Sequence, residues 1–134
     1  MKFAKIVFWI AGLYGVLVLT PLYFTYNLIG RLDPPPLTHP QFYFGYLGVT
    51  MAWQFAFFVI AADPSRFRPM IILALVEKLS YVLAVVVLYL QRRMTPLQSL
   101  TAAPDTMLGL LFIFAFFKTR RSDGWRVIQR QPTT

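Results

Sequence analysis

Residues 70–90 read MIILALVEKLSYVLAVVVLYL, a run of 21 residues in which only Glu77 and Lys78 carry charge. As a helix rising about 1.5 Å per residue, such a run reaches about 30 Å, the thickness of a bilayer's hydrocarbon core. A soluble helix of this length would need a broad charged face, and this one has at most a narrow stripe. Working outward, three further stretches of similar length and character cover 6–29, 42–62 and 97–117. The expected fold is therefore an all-α membrane protein, a single bundle of four transmembrane helices, followed by a basic tail over 118–134.

The punctuation between the stretches agrees. Gly30 to Pro36 breaks the chain into an extended loop containing three consecutive prolines. Pro40 and Pro69 suit the opening turns of the second and third helices, where a missing N–H costs nothing. Asp63-Pro64 closes the second helix, Gln91-Arg92-Arg93 closes the third, and Thr95-Pro96 offers a cap and first-turn proline for the fourth. Pro104 falls inside that fourth stretch, where it frees the carbonyl of Leu100, so the helix is expected to kink near Pro104.

Composition carries the same message. Hydrophobic residues make up 57% of the chain and aromatics 17%, with a mean hydropathy of +0.58, beyond what a water-soluble core requires. Only 13% of residues are charged, and these gather at the ends of the apolar runs. The net charge of +8 does not mark a nucleic-acid binder, because the basic residues do not form one water-facing surface. They orient the chain instead. Lys2, Lys5, Arg66, Arg68, Lys118, Arg120, Arg121, Arg126 and Arg130 fall on one side, against Arg31, Arg92 and Arg93 on the other. The richer side is expected in the cytoplasm, which puts both termini there, in a bacterial inner membrane with anionic lipid headgroups as neighbours. The first stretch has a lysine-flanked start like a signal peptide, but its apolar run exceeds the usual core of about 15 residues, so it reads as a retained span. With no cysteine, disulfides and thiolate metal sites are excluded.

Charged side chains within a span cost about 2.5 to 3.5 kcal/mol each on insertion scales, which makes Glu77, Lys78 and Asp105 functional candidates. Counting depth from the helix ends sets Glu77 level with Gln54, Tyr14 and Gly109. An intramembrane polar cluster of Glu77, Gln54 and Tyr14 is expected beside the gap at Gly109. Ala74, Glu77, Tyr81 and Ala84 form a stripe at helical spacing that would turn this cluster inward. Glu77 then either holds helices together, protonated or paired, or serves a ligand, proton or substrate. Lys78 lies about 100° around the helix from Glu77 and is expected to snorkel to the cytoplasmic headgroups. Asp105 is expected to cap the helix that restarts at Pro104, with a ligand role as its alternative. Gly45, Gly48, Ala52 and Ala56 form a small-residue stripe suited to close helix packing. The single histidine, His39, sits alone in the outer loop, so no metal site and no cofactor is predicted, although a bound lipid or other hydrophobic molecule is compatible with the chain. The hydrolase, zinc-protease and phosphate-loop signatures are absent, which leans the reading away from an enzyme.

The stretch Gln54-Phe55-Ala56-Phe57-Phe58-Val59-Ile60-Ala61-Ala62, followed by Arg68-Pro69-Met70-Ile71-Ile72, resembles the EXPERA family of sterol isomerases and sigma-2-type receptors. That resemblance implies a four-helix membrane bundle with cytoplasmic ends around a pocket for a sterol or other lipidic ligand. The family's acidic residue before the Gln-x-x-Phe-Phe-like stretch has no counterpart near Met51 to Trp53, and its pocket histidine is absent, so the resemblance implies a pocket and not isomerase activity. Three functions are weighed. The leading expectation is an accessory or structural subunit of a larger membrane complex, or a self-associating protein, since the chain has little polar machinery and much aromatic surface. An EXPERA-like binding protein or enzyme is the alternative, and a small proton-coupled transporter the second alternative.

Overall fold

The computed structural model describes residues 2–119. Its helices are α1 (Lys2–Leu22), α2 (Tyr26–Leu32), α3 (Pro40–Ala62), α4 (Arg68–Leu90), α5 (Pro96–Ser99) and α6 (Ala103–Lys118), with a 3₁₀ turn at Leu100–Ala102 joining α5 to α6. Four helices are long and apolar enough to cross a membrane: α1, α3, α4 and the α5–α6 run Pro96–Lys118. The tail expected at 118–134 lies almost wholly outside the described residues.

Local chemistry sets most of the ends. Pro40, Pro69, Pro96 and Pro104 all stand in opening turns. Thr95 and Gln98 form a reciprocal cap: Gln98 N donates to Thr95 Oγ1 over 3.2 Å, and Thr95 N donates to Gln98 Oε1 over 2.9 Å. After α3 the chain turns where Arg66 N donates to Asp63 Oδ1 over 3.1 Å.

The first span differs from the expected 6–29. It begins at Lys2, ends at Leu22, and gives way to the separate short helix α2. Pro21 is the cause, because it supplies no N–H to the carbonyl of Leu17. One residue earlier, Thr20 Oγ1 donates to Val16 O over 2.6 Å, and the chain then leaves the helix through Phe24 N donating to Pro21 O over 3.0 Å.

In cross-section α1 packs along α3 and against α6, and α6 packs along α4, whereas α3 and α4 meet over little of their length. The core occupies the half of the bundle nearest the α3–α4 connection. There Phe8, Phe57 and Phe112 are fully buried, with ring centroids 4.4 to 5.9 Å apart, among Ala4, Ala11, Ile60, Ile71, Ala74 and Ala115. Arg68 ties this end, donating from Nε to Thr119 O over 3.0 Å with its guanidinium 3.8 Å from the centroid of Phe116. At the opposite end Gln98 Nε2 donates to Asp33 Oδ1 and Oδ2 over 2.9 and 3.0 Å. The outward surface of the spans is itself apolar, with Leu17, Val49, Leu83 and Leu110 all exposed, as a lipid solvent permits and water does not.

The small-residue stripe on α3 does not serve the packing expected of it. Gly45, Gly48 and Ala52 face outward, and a Cβ built on Gly45 would meet nothing within 4 Å. The close approach falls on α1 instead. A Cβ on Gly15 would stand 1.8 Å from Gln54 Oε1, and one on Gly12 would stand 2.6 Å from the ring of Phe58. α3 uses the face of Leu47, Gln54, Phe57 and Ile60 against α1, which turns the glycines away.

Candidate functional site

Buried positions on α4 run Ile71, Ala74, Lys78 and Val85, so the inward face of this helix is centred on Lys78 and not on Glu77. The lysine is 5% exposed. Its Nζ lies 2.6 Å from Asp105 Oδ1 on α6 and 3.2 Å from Glu77 Oε2 on its own helix, and it stands 5.4 Å from the centroid of Phe57 on α3. An ammonium held this deep needs its counter-charge within contact distance, and Asp105 supplies it at the distance of a short charge-assisted hydrogen bond.

This arrangement corrects two expectations. Lys78 does not snorkel to the headgroups: its flexible stem, lying 3.9 Å from the Cβ position of Gly109, carries the charge across to α6. The same stem lets Nζ reach Glu77 although the two residues leave the helix about 100° apart. Asp105 sits in the first turn of α6, but no side-chain cap bond is made at Ala102, and the carboxylate is turned to Lys78.

Nor does Glu77 join Gln54 and Tyr14. Gln54 is 2% exposed, and its Nε2 donates back to Thr50 O on its own helix over 2.9 Å, with the amide resting on Gly15. Tyr14 is partly exposed at the rim. Glu77 Oε2 is buried and accepts no hydrogen bond, leaving Lys78 as its electrostatic partner. Tyr81 faces α5–α6, its hydroxyl 3.0 Å from Thr101 Oγ1.

The candidate residues instead border two adjoining spaces. A cavity of about 330 Å³ between the four spans is lined by Tyr14, Gln54, Lys78, Tyr81 and Asp105 together with the small residues Ala11 and Gly15. A groove of about 480 Å³ runs along the loose α3/α4 seam and is lined by Glu77, Trp53, Val49 and Val76. Tyr46, Thr50, Lys78, Tyr81 and Asp105 border both. Small residues on α1 and the sparse α3–α4 contact create this room, while the phenylalanine core fills the other half. The walls are mainly apolar, with a few polar groups converging at one level, the usual make-up of a small-molecule site. Among the described residues no group of three or more His, Cys, Asp or Glu stands where it could hold a metal, and His39 pairs with Thr38 Oγ1 over 2.8 Å in the loop between α2 and α3.

A depth count brings Lys78 level with Asp105, though it does so equally for Glu77 and cannot choose between the two. Lys78 lies ten residues into α4 from Arg68, and Asp105 lies thirteen residues before Lys118 at the same end of the bundle. At about 1.5 Å per residue the two charges sit within about 5 Å of one level, close enough for a lysine stem to span.

Comparisons with protein-family models, with curated proteins and with solved structures find no match.

Proposed function

We propose that this protein binds a membrane-dissolved amphiphile within the bilayer, in the cavity beside Lys78 and Asp105. The observation that carries the reading is the 330 Å³ cavity with mainly apolar walls and a buried ion pair at its side. A purely structural bundle would fill this space with side chains, since voids of such size forfeit packing energy. The EXPERA resemblance of residues 54–72 points to the same class of lipidic ligand. The chain is oriented with both termini in the cytoplasm of a bacterial inner membrane, supported by its asymmetry of basic residues, and its last span bends near Pro104, supported by the 3₁₀ turn at Leu100–Ala102.

Native mass spectrometry of the protein released from mild detergent, followed by solvent extraction, tests the binding reading. A retained small amphiphile, lost when Leu108, which lines the cavity, is replaced by Trp, is the expected result. A stoichiometric assembly with other membrane proteins and no retained molecule would favour an accessory subunit instead, the role supported by the little polar machinery in the chain.

A further inference from the structure

The cavity and the groove share their charged boundary, and the groove runs along the α3/α4 seam, where Val49, Leu73 and Val76 are exposed. Resting on the binding reading above, we propose that the ligand is a single-chain amphiphile whose polar end donates hydrogen bonds, an alcohol or an amine, and that it enters sideways from the bilayer through the α3/α4 seam.

Three observations carry this. The first is the packing. α1 lies along α3 and α6 along α4, but α3 and α4 meet over little of their length. The gap is rimmed by Val49, Leu73 and Val76, all exposed and apolar, and it ends on Lys78 and Asp105. An apolar rim leading to charged groups admits a lipid tail at no desolvation cost and holds a polar end at the far side.

The second is which polar atoms an incoming group would meet. The Lys78 side chain is 6% exposed, against 18% for Glu77 and 24% for Asp105. The ammonium is thus sealed behind its carboxylates, and what borders the opening are carboxylate acceptors, Asp105 the more open of the two. Acceptors recognise a hydroxyl or an ammonium, and they repel a fatty acid's carboxylate.

The third is size. At about 330 Å³ the inner cavity stands at the low end of the range of small-molecule sites, roughly 300 to 1,000 Å³, which suits one chain better than two.

Trp53 lines the groove and gives a direct readout. In a Trp9→Phe/Trp125→Phe variant, where Trp53 is the one remaining tryptophan, the probes are a long-chain alcohol, the amine and the fatty acid of equal chain length, each brominated at its far end to quench fluorescence. The alcohol and the amine should quench saturably at concentrations about tenfold below those needed for the acid, and Glu77→Gln should shrink that preference in protein that still shows a cooperative thermal transition. Unequal quenching by alcohol and amine identifies which donor is preferred. Equal quenching by all three overturns the ligand class. The chain contains no cysteine, so Val49→Cys/Val76→Cys can be bridged cleanly by a reducible dithiol-reactive cross-linker. Bridging should slow the quenching at least about tenfold, and reductant should restore it. An unchanged rate overturns entry through the seam. If no probe quenches saturably and native mass spectrometry also finds no retained amphiphile, the binding reading itself falls; a retained molecule with the wrong probe preference overturns only the present proposal.

Discussion

The ammonium of Lys78 lies 2.6 Å from the Asp105 carboxylate, joining α4 to α6 near the middle of the bundle where both side chains are largely shielded. One contact thus sets the register of the last span against its neighbour and forms the polar side of the cavity. Removing either partner leaves a charge with no solvent to receive it, a loss of the kind that costs about 3 to 5 kcal/mol in buried pairs.

That cost should be visible in Lys78→Met, with a large drop in thermal stability in detergent. The double variant Lys78→Met/Asp105→Leu should recover part of it, and adding Glu77→Gln, which removes the last unpaired carboxylate, should recover more. A double variant no more stable than the single would mean that the pair is not coupled.

Glycine positions should separate sharply. Gly15→Ala places a methyl group 1.8 Å from Gln54 Oε1 and should destabilise the bundle by about 1 to 3 kcal/mol, with partial rescue by Gln54→Ala. Gly45→Ala meets open space and should be neutral or stabilising by up to about 1 kcal/mol through helix propensity. Thermal unfolding of both variants checks this, and equal effects would contradict the outward turn of the α3 stripe.

Orientation is tested by fusion. A reporter active only outside the cytoplasm should be silent at Thr134 and active when inserted in the loop at Pro34 to Pro36, and the reverse pattern would invert the topology.

A bend near Pro104 should shorten the distance between spin labels at Leu97 and Phe117, both exposed, below the roughly 30 Å of a straight helix of that length. Pro104→Ala should lengthen it. An unchanged distance close to the straight value would mean that the 3₁₀ turn at Leu100–Ala102 is absorbed without bending.

Three of the four long apolar helices are legible close to their full extent in residues 42–62, 70–90 and 97–117, because hydrocarbon demands length and apolarity from each span separately, and prolines at their starts mark the ends. The end of the first span is less legible, since Phe24 to Ile29 carry no charge and the break is marked only by Pro21 and a rise in polarity at Thr25 to Asn27. The membrane also removed the usual guide to orientation around each helix axis. A soluble helix shows its buried face by hydrophobic contrast, but here lipid-facing and core-facing residues are equally apolar, so whether Glu77 or Lys78 points inward, and whether Gly45 or Gly15 receives a neighbour, had no signature in the amino-acid pattern. Those choices were made between helices: by the phenylalanine core at one end, by the Gln54 amide seated on Gly15, and by a lysine stem long enough to reach a carboxylate on another span.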